Sequence, residues 1–186
     1  PKTDLAAICR AAQQIAPFIW IPHPVGWYNQ TWYDDQRIAE LWTLGDCFAI
    51  EVMNGAGKIV RAYDAFDQKA VAVWDRLLSD GRKVTALGGS DAHTPDQIGT
   101  VWTGVFAKRR TSASIIRALN QGRCFASEAS LLDFRCGTDA MGSTIGRRKG
   151  CVIKLQYRVA DATGIASARI VANGATVEEI DGRNQP

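Results

Sequence analysis

The chain has 186 residues, 46% of them hydrophobic, enough to bury the core of one domain or of a domain with a small appendage. A net charge of +3, from 22 basic and 19 acidic residues, is too mild to support a nucleic-acid binder. No apolar run approaches the ~20 residues that span a bilayer, so a membrane partner is not expected.

The basic residues cluster only at Lys108-Arg109-Arg110 and Arg147-Arg148-Lys149, and both runs read as solvated loops. There is no initiator Met and no signal-like start. Pro1 therefore reads as an internal cut, with a missing upstream segment in which any export signal would lie. Five cysteines (Cys9, Cys47, Cys124, Cys136, Cys151) form no C-x-x-C pair and are odd in number. They suggest neither a disulfide framework nor a zinc knuckle, and they favour a reducing, cytoplasmic-type compartment. Cys9 and Cys47 sit in apolar patterns, where cysteine behaves as a small buried hydrophobe.

In chain order, Thr3 is placed to cap a helix with Leu5, Ile8, Cys9, Ala12 and Ile15 on one stripe, ended by Pro17. Phe18 to Ile21 reads as a short strand, apolar on both faces, that exits into Pro22-His23-Pro24. An aromatic loop with Trp27, Tyr28, Trp32 and Tyr33 follows, suited to packing or to walling a substrate pocket. A helix is predicted from Asp34 to Leu44, stopped by Gly45, and then a strand from Cys47 to Met53. Glu51 is anomalous in so apolar a run. Either it sits at the C-terminal mouth of the sheet and binds something, or it lies on an edge. Asn54-Gly55 reads as a turn.

The clearest helical periodicity starts near Asp64 and runs through Phe66, Ala70, Val73, Trp74, Leu77 and Leu78 to a stop at Gly81. Lys83 to Leu87 then reads as a buried strand leading into Gly88-Gly89-Ser90-Asp91-Ala92-His93. Val101 to Ala107 is a strand, Thr111 or Ser112 caps a helix that ends at Gly122, and Arg123 to Ser127 is a short strand. Such alternation predicts βα units and a mainly parallel sheet or barrel. After about Glu128 helix signals stop. Strands are predicted at 131–136, 151–159 and 168–177, and the alternation of Lys154, Gln156 and Arg158 with Ile153, Leu155 and Tyr157 marks an antiparallel sheet with one wet face. The expected domains are thus 1–127 and a β-rich appendage over 128–186.

The sequence has two histidines, His23 and His93, and each follows a predicted strand, as does Glu51. Strand residues two apart point the same way, so Asp91 and His93 are expected to face one cavity; a turn with Asp91 capping the backbone is the plainer alternative. Together His23, Glu51, Asp91 and His93 form a candidate metal set at three strand tips, suited to Zn, Mn or Fe.

His23-Pro24, Ile50-Glu51-Val52-Met53-Asn54-Gly55, Trp74-Asp75-x-Leu77-Leu78-x-x-Gly81, Gly89-Ser90-Asp91-Ala92-His93 and Ala118-Leu119-x-x-Gly122-Arg123 occur in this order. The series resembles the polymerase and histidinol phosphatase (PHP) domain, most closely its CehA/McbA-like metallohydrolase branch, over residues 5 to 127. The resemblance implies an α/β fold: the C-terminal part of a distorted (β/α)7 barrel, followed by a small antiparallel β appendage. It implies a cluster of up to three metal ions, with His23, Glu51, Asp91 and His93 as ligands and Asp91 and His93 as catalytic residues. The implied activity is metal-dependent hydrolysis of a small phosphoester or related ester by a metal-bound hydroxide. Arg123 reads first as a surface residue after a helix stop, with phosphate contact as the alternative. The family's first H-x-H motif is absent here. A missing N-terminal segment or another chain is expected to complete the site, and the alternative is a non-catalytic PHP-like scaffold.

Overall fold

The computed structural model describes residues 4–25, 40, 49–57, 63–146 and 148–182. The expected helix over 34–44, apart from Glu40, and the loop from Trp27 to Tyr33 lie outside the described residues, as does Cys47. Helix α1 is Leu5–Ile15 and strand β1 is Trp20–Ile21. They are followed by β2 (Ala49–Asn54), α2 (Ala65–Ser79) and β3 (Thr85–Gly89). Next come β4 (Trp102–Val105), α3 (Ser112–Asn120) and β5 (Cys124–Ser127). The remaining elements are β6 (Leu131–Cys136), β7 (Asp139–Ala140), β8 (Gln156–Ala160), β9 (Ser167–Ala172) and β10 (Ala175–Asp181).

The first helix is capped by Asp4, whose Oδ1 accepts the Ala7 N–H at 2.9 Å. That overturns the expected Thr3 cap: a carboxylate one residue nearer the helix reaches its first free N–H groups. The predicted apolar stripe is also only partly covered. Ala6 and Cys9 are buried, whereas Ile8 is 52% and Ile15 88% exposed. Helix α2 is better specified. Asp64 accepts the N–H groups of Phe66 and Asp67, and Asp67 reaches back to the Asp64 N–H, a reciprocal capping box. At the other end the Gly81 N–H donates to Leu78 O and the Arg82 N–H to Leu77 O, which closes the last turn.

Strands β1, β2 and β3 form a parallel sheet in that order. Val73 and Leu77 of α2 pack with Ile21, Ile50, Val52 and Val84 in the main core, joined by Ala6 and Cys9 of α1. The Trp74 indole N–H donates to Val84 O at 2.8 Å and ties α2 to the entry of β3.

The expected barrel is not found. Among the described residues there are three α-helices and four small sheets, and no barrel closes. Only β1-β2-β3 is parallel. The chain between β3 and β4 carries a 3-10 turn at Pro95–Gln97 rather than an α-helix, so nothing returns it for another parallel strand. Strand β4 then pairs with β5 in antiparallel register, Trp102 opposite Ser127 and Val105 opposite Cys124, although α3 lies between them in sequence. Helix–strand alternation was therefore a misleading guide here: it describes connection order, and the pairing direction is set by packing.

Beyond β5, the described regular elements are strands. Strands β6, β7 and β8 form one antiparallel sheet, and β9 and β10 another. The single strand expected over 168–177 is a hairpin turned at Asn173-Gly174, where Asn173 takes a φ of 53°. The expected strand over 151–159 is confined to Gln156–Ala160. Its wet-and-dry alternation is not realised, since Leu155 and Tyr157 are 40% and 43% exposed.

The core assignment carries a direct expectation. Leu77 has no exposed surface, so Leu77→Ala is expected to lower the free energy of unfolding by about 2–5 kcal/mol in urea titration. Ile15→Ala, at a position 88% exposed, is expected to change it by less than about 0.5 kcal/mol.

Candidate functional site

The tips of β1, β2 and β3 meet around Glu51. Its side chain is 7% exposed, and Oε2 accepts two hydrogen bonds, from the His23 backbone N–H at 2.6 Å and from Asn54 Nδ2 at 3.1 Å. Asn54 Nδ2 also donates to Asp91 Oδ2 at 3.2 Å. One amide thus bridges carboxylates on two neighbouring strand ends. The orientation of that amide is fixed, because Asn54 Oδ1 accepts the Ala56 N–H at 2.8 Å. The Asn54 backbone N–H donates to Asp67 Oδ1 at 3.0 Å, which links the tip of β2 to the capping box of α2.

In a regular strand, residues three apart point to opposite faces, so Glu51 and Asn54 could not meet. The β2–β3 register explains how they do. Glu51 pairs with Leu87 and Met53 with Gly88, leaving Val52 as an extra residue. This bulge shifts the phase of β2 by one and brings residues 51 and 54 to the same side. Two glycines permit the close approach of the strand ends. A methyl on Gly89 would lie 2.9 Å from Glu51 Oε1, and one on Gly55 would lie 2.8 Å from Ser90 O. The Gly55 N–H instead donates to Gly89 O at 2.9 Å.

Among the described residues, three that are not glycine take the left-handed backbone region, and two of them are His23 (φ 27°) and Asp91 (φ 45°). Both border Glu51. Burial pushes the Glu51 carboxyl above its ordinary range; the His23 N–H, the Asn54 amide and the charge of His23 pull it down, and the charge of Asp91 pushes it up.

The four predicted site residues are not placed alike. Glu51 is at the centre, with Asp91 joined to it through Asn54 and His23 joined through its backbone. His93 is separate. The strand ends at Gly89, so the two-residue alternation expected for Asp91 and His93 does not operate. The His93 ring folds back with Nδ1 2.7 Å from Asp91 O, and its backbone N–H donates to Gln97 Oε1. Both Asp91 and His93 are exposed.

Two carboxylates and imidazoles are chemically suited to Zn, Mn or Fe. Even so, among the described residues no three His, Cys, Asp or Glu side chains are grouped to hold an ion. Glu51 Oε2 and Asp91 Oδ2 are instead turned toward one amide. The described residues therefore do not make a metal centre by themselves. The cavity beside His23, Glu51 and Asn54 measures about 20 Å³, room for one water and not for a substrate. A far larger cavity of about 690 Å³ lies elsewhere, between α2, the start of β3, β5 and β6, with Trp74, Cys124, Leu132 and Phe134 among its walls.

Residues 76–124 match the model of a family described as PHP-associated. The match covers about a quarter of the chain and supports, over that segment, the likeness to the C-terminal part of a PHP domain. It starts in the second half of α2, takes in Asp91, His93 and Arg123, and leaves His23 and Glu51 outside. The match does not extend to a CehA/McbA-like assignment. No curated protein and no solved structure matches the chain.

Sequence reasoning missed Asn54 and Asp67. Asn54-Gly55 reads as an ordinary turn because a bulge leaves no mark in periodicity. The Asp64-x-x-Asp67 spacing at the helix start was a usable signal for Asp67, which is 2% exposed.

Asn54→Asp removes both amide donors and adds a third carboxylate, so it is expected to cost about 2–4 kcal/mol of stability at neutral pH, read by thermal or urea unfolding. Burial pushes the Cys124 thiol up to about 11, whereas Cys151 is exposed. Iodoacetamide at pH 8 is therefore expected to label Cys151 in the folded protein and Cys124 only after denaturation, as resolved by peptide mass spectrometry.

Proposed function

We propose that this chain is part of a PHP-type metal-dependent hydrolase acting on phosphoesters or related small esters, and that His23, Glu51, Asp91 and His93 are its contribution to the site. One observation carries the reading. Two strained left-handed residues, His23 and Asp91, flank a buried carboxylate at the C-terminal tips of a parallel sheet. Such strain persists only where surrounding structure enforces it, and it concentrates at working sites. The C-terminal ends of parallel strands are also where ligands bind in α/β proteins. The family match over residues 76–124 supports the same reading.

On this reading the chain's own residues have defined tasks. Glu51, buried and fixed by the His23 N–H, holds the tip of β1 against β2. Asn54 holds Asp91 at the rim, where an exposed carboxylate is able to receive a ligand or a proton. His93, exposed beside Asp91, has Nδ1 turned onto the Asp91 carbonyl oxygen. Two or three divalent ions (Zn, Mn or Fe) would supply an activated water and a clamp for the ester oxygen. The remaining ligands would come from residues other than these four.

A second reading is favoured by the 20 Å³ cavity and the lack of a three-donor group among the described residues: a non-catalytic PHP-like scaffold. The product of the complete gene separates the two readings. The hydrolase is expected to co-purify with Zn, Mn or Fe by elemental analysis. It should hydrolyse p-nitrophenyl phosphate or a p-nitrophenyl ester and lose at least about 100-fold in rate with EDTA or Asp91→Ala. Metal-free protein without turnover would establish the scaffold instead. Turnover that survives both the chelator and Asp91→Ala would overturn the metal-dependent mechanism.

A further inference from the structure

A second cavity, of about 480 Å³, lies between the loop after β4 and helix α3, and its walls carry Lys108, Arg109, Arg117 and Arg123. No Asp or Glu is among its lining residues. Among the described residues none of these four cationic groups has a carboxylate partner. Three of the four are exposed, while Arg123 is half-buried. Holding four like charges around one concavity costs self-repulsion, which a bound anion would offset.

The cavity runs along one face of α3, from the N-cap Thr111 through Ser114, Arg117 and Ala118 to Gln121, so the helix forms one wall and carries Arg117 into it. The site is distinct from the carboxylate tips. Leu119 O accepts from Thr85 Oγ1 at 3.2 Å, and Cys124 Sγ lies 3.8 Å from Ala86 O, so α3 and Arg123 sit against the start of β3. Asp91 follows its end.

We propose that this cavity binds an oligophosphate, a small molecule carrying at least two linked phosphoryl groups. Three guanidinium forks match phosphate oxygens in pairs, and the lysine adds a point charge. Four cations call for more negative charge than one orthophosphate carries. The volume falls within the range of sites for whole small molecules. Phe106, 40% exposed, lines the same cavity and offers a face to a base or another apolar group if the phosphates belong to a nucleotide. The proposal is independent of the hydrolase reading.

Isothermal titration calorimetry with orthophosphate, inorganic tripolyphosphate and ATP tests it. The expected result is one tripolyphosphate site per chain, at least about tenfold tighter than orthophosphate and weakened by raising the salt from 50 to 200 mM. ATP tighter than tripolyphosphate would assign a nucleotide, and equal affinity would assign the phosphate chain alone. Arg109→Gln with Arg117→Gln, at exposed positions, is expected to weaken binding at least about tenfold with unchanged thermal unfolding. Arg148→Glu with Lys149→Glu is expected to leave it within about twofold. No saturable binding, or equal losses in the two double variants, would overturn the proposal. So would a single-stranded oligonucleotide that displaces tripolyphosphate at lower concentration, since it would make the surface a nucleic-acid contact.

Discussion

The arrangement at the sheet's C-terminal edge depends on the burial of one carboxylate. Glu51 lies in a strand that is otherwise apolar, and removing a carboxylate from water is costly unless donors replace the solvent. The replacements are the His23 backbone N–H and the Asn54 amide, from two different segments. Satisfying Glu51 therefore forces the exit of β1 against β2 and forces β2 to bulge. Asn54, once turned inward, has a second amide hydrogen to place, and Asp91 takes it. A single desolvated oxygen pair thus sets the relative positions of three chain segments. The left-handed backbone at His23 and Asp91 is the local strain left behind.

Charge is separated along the length of β3. At its C-terminal end are carboxylates and histidines, including Glu51 and Asp91. At its N-terminal end, α3 and the loop before it gather unpaired arginines and a lysine. The strand has five residues, so the two regions lie roughly 16 Å apart along it. At physiological ionic strength that exceeds the Debye length of about 8 Å, and each region acts on ligands as a separate electrostatic surface.

How much of this was legible depended on whether the governing interaction was local. Helix α2 was readable from Phe66, Val73 and Leu77 because a 3.6-residue period and a capping residue are properties of a short window. The tips at His23, Glu51 and Asp91 were readable because polar residues interrupt apolar runs there. The barrel was not, because the direction in which β4 pairs is decided by contacts with β5, some 20 residues away, and nothing in the alternation encodes it. The face of Asp91 and His93 was misjudged for a smaller reason: the strand stops at its second glycine, Gly89, two residues before Asp91, and alternation does not carry past it. Asn54 escaped notice because its role depends on Val52 being one residue too many.

The Asn54-Gly55 pair has a chemical consequence. An asparagine followed by glycine is the dipeptide most prone to cyclise and hydrolyse to aspartate, since the unhindered glycine nitrogen attacks the side-chain carbonyl. Here the Gly55 nitrogen is engaged with Gly89 O, and the amide is held away by its two carboxylates. The fold shelters its own most perishable bond. A molecule that spends time unfolded ages at this position, and the aged chain returns with an acid where two acids already need a donor.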